Sequence, residues 1–182
     1  MEKTLRNVAI RITKETAFIL LTVASAVVFP QILHTLGAAL GVGGQLGQML
    51  LPMYLPVMIL GFYRGEIPGA ITGLLAPLVS FTLTQMPGEA ILPYITLELI
   101  ATGVLAGALA RVKFPAVLRV FGVQVLAKLL RLSVYAIALY STTGAVSASA
   151  LTAGILTSVP GLVLQLVVVT LVIVIKEKKA NE

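Results

Sequence analysis

The sequence predicts an all-α, polytopic membrane protein. Six transmembrane helices form one domain over residues 1–182, with both termini cytoplasmic. Three observations carry this prediction. Of the 182 residues, 58% are apolar and only 11% are charged, where a soluble domain carries roughly 25%. Mean hydropathy is +1.04. Nearly all the basic residues fall in short segments beside long apolar runs. Such a chain has too little polar surface to enclose its apolar atoms in water and is too apolar to stay disordered. Six helices of about 20 residues would use about 120. No space then remains for a soluble ATPase on the same chain.

Residues 1–16 are polar and basic, and the first span follows from Ala17 to about Leu33, with Pro30 near its end. A basic start and the triplet Ala24-Ser25-Ala26 resemble a cleavable leader, but the apolar run continues to Leu33 and reads better as a span. An uncharged Gly-rich stretch, Gly37 to Gly47, comes next. Span 2 runs from about Met49 to Tyr63 and contains Pro52 and Pro56, which neighbouring helices can accommodate in a membrane. Arg64-Gly65-Glu66 and Pro68 form a turn into span 3, about Gly69 to Thr84. Met86-Pro87-Gly88-Glu89 turns the chain into span 4, about Ile91 to Ala110. A basic segment leads to span 5, about Val120 to Tyr140, and small polar residues lead to span 6, about Leu151 to Ile175.

The net charge of +6 tests this division. Lys3, Arg6, Arg11 and Lys14 precede span 1. Arg64 follows span 2. Arg111, Lys113 and Arg119 follow span 4, and Lys176, Lys178 and Lys179 follow span 6. Six spans put these eleven of the 13 basic residues on one face, and the positive-inside rule makes that face cytoplasmic. The opposite face holds only Glu89 and His34 as charged or chargeable groups. The positive balance is therefore a topology signal, and no nucleic-acid partner is expected. With no cysteine and one histidine, no metal centre and no cofactor is expected. No nucleophile elbow, His-Glu-x-x-His or phosphate-binding loop is present, so the chain does not read as an enzyme.

Three charges fall inside spans, where each costs at least ~2.5 kcal/mol at a helix centre. Glu98 lies about 10 Å below the outer end of span 4, and Arg131 about 14 Å below that of span 5. Lys128 is one turn deeper on Arg131's face. Tyr94 and Thr102 share the face of Glu98, while Gln124 and Tyr135 extend the stripe of Lys128 and Arg131. Three readings are open. Glu98 bridges one of the bases as a structural ion pair, or span 5 starts later and Lys128 and Arg131 snorkel or lie on a cytoplasmic amphipathic helix, or the group lines a polar pocket open to the outside. In the pocket reading the surplus positive charge suits a ligand with an anionic or strongly accepting group. Gln165, in mid-span 6, bonds a neighbouring helix or the ligand. Gly37, Gly41, Gly43, Gly44 and Gly47 make residues 35–48 a candidate lid, with Gln31 and His34 at its root. Gly69-x-x-x-Gly73 and Gly103-x-x-x-Gly107 are small-residue pairs that let helices approach closely.

These fragments, taken in order, resemble the S components of energy-coupling factor (ECF) transporters. Leu51-Pro52-Met53-Tyr54-Leu55-Pro56-Val57-Met58 with Gly61 is similar to that family's second span. Gly73-Leu74-Leu75-Ala76-Pro77-Leu78-Val79-Ser80 through Met86-Pro87 is similar to its third. Glu98-Leu99 with Gly103 and Ala106-Gly107, Arg131 with Tyr135, and Pro160-Gly161-Leu162-Val163-Leu164-Gln165-Leu166 are similar to parts of the fourth, fifth and sixth. The resemblance implies a substrate-binding subunit in a prokaryotic cytoplasmic membrane. It would take a small water-soluble vitamin or related metabolite and work with a membrane coupling subunit and two cytoplasmic ATPases. It also implies that Glu98, Lys128, Arg131 and Gln165 face the substrate and that residues 35–48 are the lid; Tyr94, Tyr135 and His34 join them as substrate-binding candidates by their positions. Where the family often shows Ala-x-x-x-Ala for docking its coupling subunit, this chain has Thr22-x-x-x-Ala26 with Ala24 between. The alternative is an autonomous small secondary transporter or channel working as an oligomer.

Overall fold

A computed structural model describes residues 2–43, 45–146 and 148–181. Among the described residues every regular element is helical: α1 (Glu2–Ala39), α2 (Gln45–Leu50), α3 (Tyr54–Arg64), α4 (Glu66–Thr84), α5 (Leu92–Leu109), α6 (Ala116–Thr143) and α7 (Ala148–Asn181). Five of them, α1, α4, α5, α6 and α7, are long and apolar enough to cross a membrane.

The expected second span is the exception. It is broken into α2 and α3, with Leu51–Met53 between them. Eleven residues give α3 a length of about 16 Å, short of a hydrocarbon core of about 30 Å. The cause is local. Pro52 disfavours the α conformation at the residue before it, and Leu51 adopts a positive φ of 47°. Only from Tyr54 does the helix resume. The other expected spans are each a single helix. α1 begins well before Ala17 and runs past Leu33 to Ala39, so it takes in part of the expected lid. At the opposite extreme of looping, α3 and α4 are joined by Gly65 alone, at φ 98°, a conformation that a Cβ would strain.

α5 is the central helix, packed against α3, α4 and α6. α1 covers α3 and α4, and α7 lies on α2, α3 and α6. The two small-residue pairs of α4 and α5 meet each other. A Cβ on Gly69 would stand 2.5 Å from the Gly103 carbonyl oxygen, and one on Gly73 2.3 Å from that of Leu99. The backbones are in contact there, which brings the α5 side chains next to α3 and α6. Two apolar clusters result, one around Val57, Ala76 and Leu99 and one around Met58, Val120 and Val169. Large apolar residues such as Leu20, Leu21, Ile137 and Leu156 are exposed on the outside, a distribution suited to lipid.

One end of the bundle is tied by polar contacts. Arg64 makes a two-pronged pair with Glu15 at 2.6 and 2.9 Å and lies over the Phe18 ring. Arg111 pairs with Glu66 at 3.4 Å, and the buried Arg119 pairs with Glu177. Lys176 donates to the Phe62 carbonyl at 3.0 Å and caps the Tyr63 ring. These contacts join the end of α3 to α1 and α7, the segment after α5 to the start of α4, and the start of α6 to the end of α7. Arg119→Met is expected to loosen this end by leaving the Glu177 carboxylate and the Ala110 carbonyl without their donor. A lowered melting temperature, with earlier proteolysis between residues 110 and 119, is the measurable outcome.

Candidate functional site

Glu98 is the centre of the site. It lies on the buried face of α5, its side chain 2% exposed, below the first turns of that helix. Both carboxylate oxygens are engaged. Lys128 Nζ approaches Oε1 at 2.7 Å and Arg131 Nη1 donates to Oε2 at 3.0 Å. The spacing of three residues on α6 puts both cations on one face, and the packing of α5 on α6 directs that face at Glu98. A third donor comes from α3: the Tyr54 hydroxyl bonds Oε2 at 2.7 Å, and the Tyr54 ring lies 5.5 Å beneath Lys128 Nζ. The sequence reading did not single out Tyr54. An aromatic placed between two prolines, Pro52 and Pro56, was the available signal.

The three charges sum to +1. A buried carboxylate is compensated by paired donors, and one cation would have sufficed. The accessible side of the group belongs to Arg131, 26% exposed, while Lys128 is 11% exposed. One turn away on each helix, Tyr94 and Tyr135 meet edge to face with ring centres 5.1 Å apart. One turn from Lys128 in the other direction, Gln124 donates to the Leu162 carbonyl at 2.9 Å and lies 3.5 Å from Gln165. Gln165 in turn donates to the Leu51 carbonyl at 3.3 Å. A continuous polar stripe therefore runs along α5 and α6, with Gln165 of α7 and Tyr54 of α3 attached to it.

The other candidate residues are not part of that stripe. His34 lies near the end of α1 with its ring against Gly47 of α2, where a Cβ would come within 2.6 Å of it. His34 Nδ1 and Gln31 Nε2 are both buried without a hydrogen-bond partner among the described residues. Gly37 lies inside α1, and Gly47 lies inside α2, so the proposed lid is a tight helical hairpin and not an open loop. Gly41 and Gly43 make its turn at φ 74° and 57°. Gly44 is outside the described residues. Of the residues expected to dock a coupling subunit, Thr22 bonds the Phe18 carbonyl of its own helix and Ala24 is exposed. Ala26 is fully buried against the core around Tyr54 and Leu99. It is therefore removed from any docking face, because residues 24 and 26 point to opposite sides of a helix. Among the described residues no group of three metal-ligating side chains occurs. A groove of about 360 Å³ runs along α1 past Arg11, Glu15 and Ile19, and none of its residues belongs to the stripe.

Comparison with known proteins finds no matching family model, no similar curated protein and no similar solved structure.

Tyr54→Phe isolates one donor of the site. It removes a buried hydroxyl while leaving Glu98 two charged partners, and the expected loss is about 1 kcal/mol, the net worth of one hydrogen bond. Melting curves of the detergent-solubilised chain measure it.

Proposed function

We propose that this chain is a substrate-binding membrane subunit of the S-component type, which takes a small water-soluble metabolite bearing an anionic group. The observation that carries this reading is the surplus cation at Glu98. A structural tie between α5 and α6 needs one base for one acid. Here two bases, Lys128 and Arg131, share the carboxylate, and Arg131 keeps an accessible side. An anion there would satisfy donors that the protein itself leaves in excess, and charge-assisted bonds are the strong ones. Tyr94 and Tyr135 then border the site with ring edges and faces.

In this reading the membrane is crossed six times, with α2, the break and α3 together making the second crossing. Irregular backbone is tolerated at that depth because α7 and Gln165 satisfy it. The face carrying Arg64, Arg111, Arg119 and Lys176 is cytoplasmic, in keeping with the positive-inside rule. That is where a coupling subunit and ATPases would supply the energy. A prokaryotic cytoplasmic membrane is the setting in which such subunits work.

The test is native mass spectrometry of the gently purified chain, followed by uptake measurements. A retained small molecule with a carboxylate or phosphate is expected. Arg131→Met is expected to reduce its occupancy tenfold or more, the equivalent of one charged hydrogen bond of about 1.5–3 kcal/mol. Vesicles holding this chain alone are expected to show no concentrative uptake. Ion-driven uptake by the chain alone would replace this reading with the autonomous transporter.

A further inference from the structure

The break between α2 and α3 is held from both sides. Leu51 has the left-handed φ of 47°, which is unfavourable for a residue with a side chain. Its carbonyl accepts two bonds, from Tyr54 N at 3.1 Å and from Gln165 Nε2 at 3.3 Å. Gln165 is 1% exposed and lies within 3.5 Å of Gln124 on α6. One turn earlier on α7, Gly161 admits the break against the helix backbone: a Cβ there would meet the Met49 carbonyl oxygen at 2.5 Å. On the far side of the break, Tyr54 is the first residue of α3, and its hydroxyl bonds Glu98. Three residues thus separate a bond to α7 from a bond to the charge cluster. α2 itself is a single short helix that contacts α1 and α7.

We propose that Leu51–Met53 is a hinge whose angle is set by Gln165 and Tyr54, so that α2 and the charge cluster report on each other. Gln165 is then a positioning residue that fixes the α2 side of the hinge, and Tyr54 fixes the α3 side. When Glu98 exchanges its Tyr54 bond for another partner, α3 loses its anchor next to the hinge and α2 is released. The strained Leu51 conformation favours this, because it persists only while its surroundings hold it. The mechanism does not depend on what occupies the site, so it stands or falls apart from the proposed transport role.

The absence of native cysteine makes the hinge directly measurable. Met49 on α2 and Leu83 on α4 are exposed, and nitroxide labels at Met49→Cys and Leu83→Cys give a distance across the hinge in lipid nanodiscs. A control pair, Leu83→Cys with Ile137→Cys, joins two exposed sites on α4 and α6 that flank no break. The otherwise unaltered chain is expected to give one narrow distribution for each pair. Tyr54→Phe and Gln165→Leu are each expected to broaden the Met49–Leu83 distribution and add a second population, while the control pair stays narrow. Should Gln165→Leu fail to fold, Gln124→Leu removes the neighbour of the Gln165 amide and tests the same side with a smaller effect. Unchanged Met49–Leu83 distances in the folded variants would overturn the hinge. Equal broadening of both pairs would also overturn it, since that is general loosening of the bundle.

Discussion

Glu98→Gln is expected to cost this protein more stability than any other single isosteric change, about 3–5 kcal/mol, the usual result of removing one partner from a buried ion pair. The amide has nearly the shape of the carboxylate and still accepts from Tyr54. What it lacks is the charge that Lys128 Nζ, at 2.7 Å, and Arg131 Nη1, at 3.0 Å, both require. Two cations would then face each other in a desolvated site. The order of severity within the cluster follows from the same arithmetic. Lys128→Met leaves Glu98 paired one-to-one with Arg131, a neutral arrangement, and is expected to be mild. Combining Glu98→Gln with Lys128→Met is expected to recover part of the loss, since only one unpaired cation remains. The double variant would then be more stable than Glu98→Gln alone, a sign of coupling that independent sites do not show. Thermal unfolding of the four chains in one detergent decides it. A silent Glu98→Gln would mean that water reaches the carboxylate. The same series separates fold from function: Lys128→Met keeps the bundle but removes the surplus charge, and weaker retention of the anionic molecule is its expected cost.

Much of this site was legible before the fold. Charges in apolar runs are expensive, so Glu98, Lys128 and Arg131 stood out, and helical spacing put the two bases on one face. Their depths, estimated from 1.5 Å per residue, were close enough to meet, and they do. The small-residue pairs of α4 and α5 also announced a close approach. Three features were not legible. Tyr54 is brought to Glu98 by the packing of α3 on α5, and no spacing within one chain segment encodes a contact across 44 residues. The break at Leu51 depended on whether α7 could satisfy the freed carbonyl, and Gln165 does this from 114 residues away. Ala26 looked like part of an external small-residue patch, because composition does not tell which face of a helix is covered. In each case the local residue types permitted two outcomes, and tertiary contact selected one.

Gly103→Ala and Gly122→Ala are the same substitution inside two helices of one bundle, and they are expected to move stability in opposite directions. Alanine is the better helix former by about 1 kcal/mol in an exposed helix, and both sites gain from that. At Gly122 the new methyl would meet only the flexible end of Leu109, at 3.4 Å, so a small gain in melting temperature is expected. At Gly103 it would stand 2.2 Å from the Gly69 carbonyl oxygen and 2.3 Å from its carbon. Those are backbone atoms in the first turn of α4, and neither can rotate away. The helices must separate instead. Overpacking of this kind costs typically 1–3 kcal/mol, and here the loss extends beyond the contact. Glu98 is five residues from Gly103 on α5, and Tyr54, Lys128 and Arg131 converge on it from α3 and α6. A shift of α5 away from α4 displaces the carboxylate relative to all three donors. Gly103→Ala is therefore expected to lower the melting temperature and, in the fraction that still folds, to weaken retention of the anionic molecule proposed to bind at Arg131. Gly122→Ala is expected to leave retention unchanged. If both substitutions raised the melting temperature, α4 and α5 would not be in backbone contact, and the placement of Glu98 would need another cause.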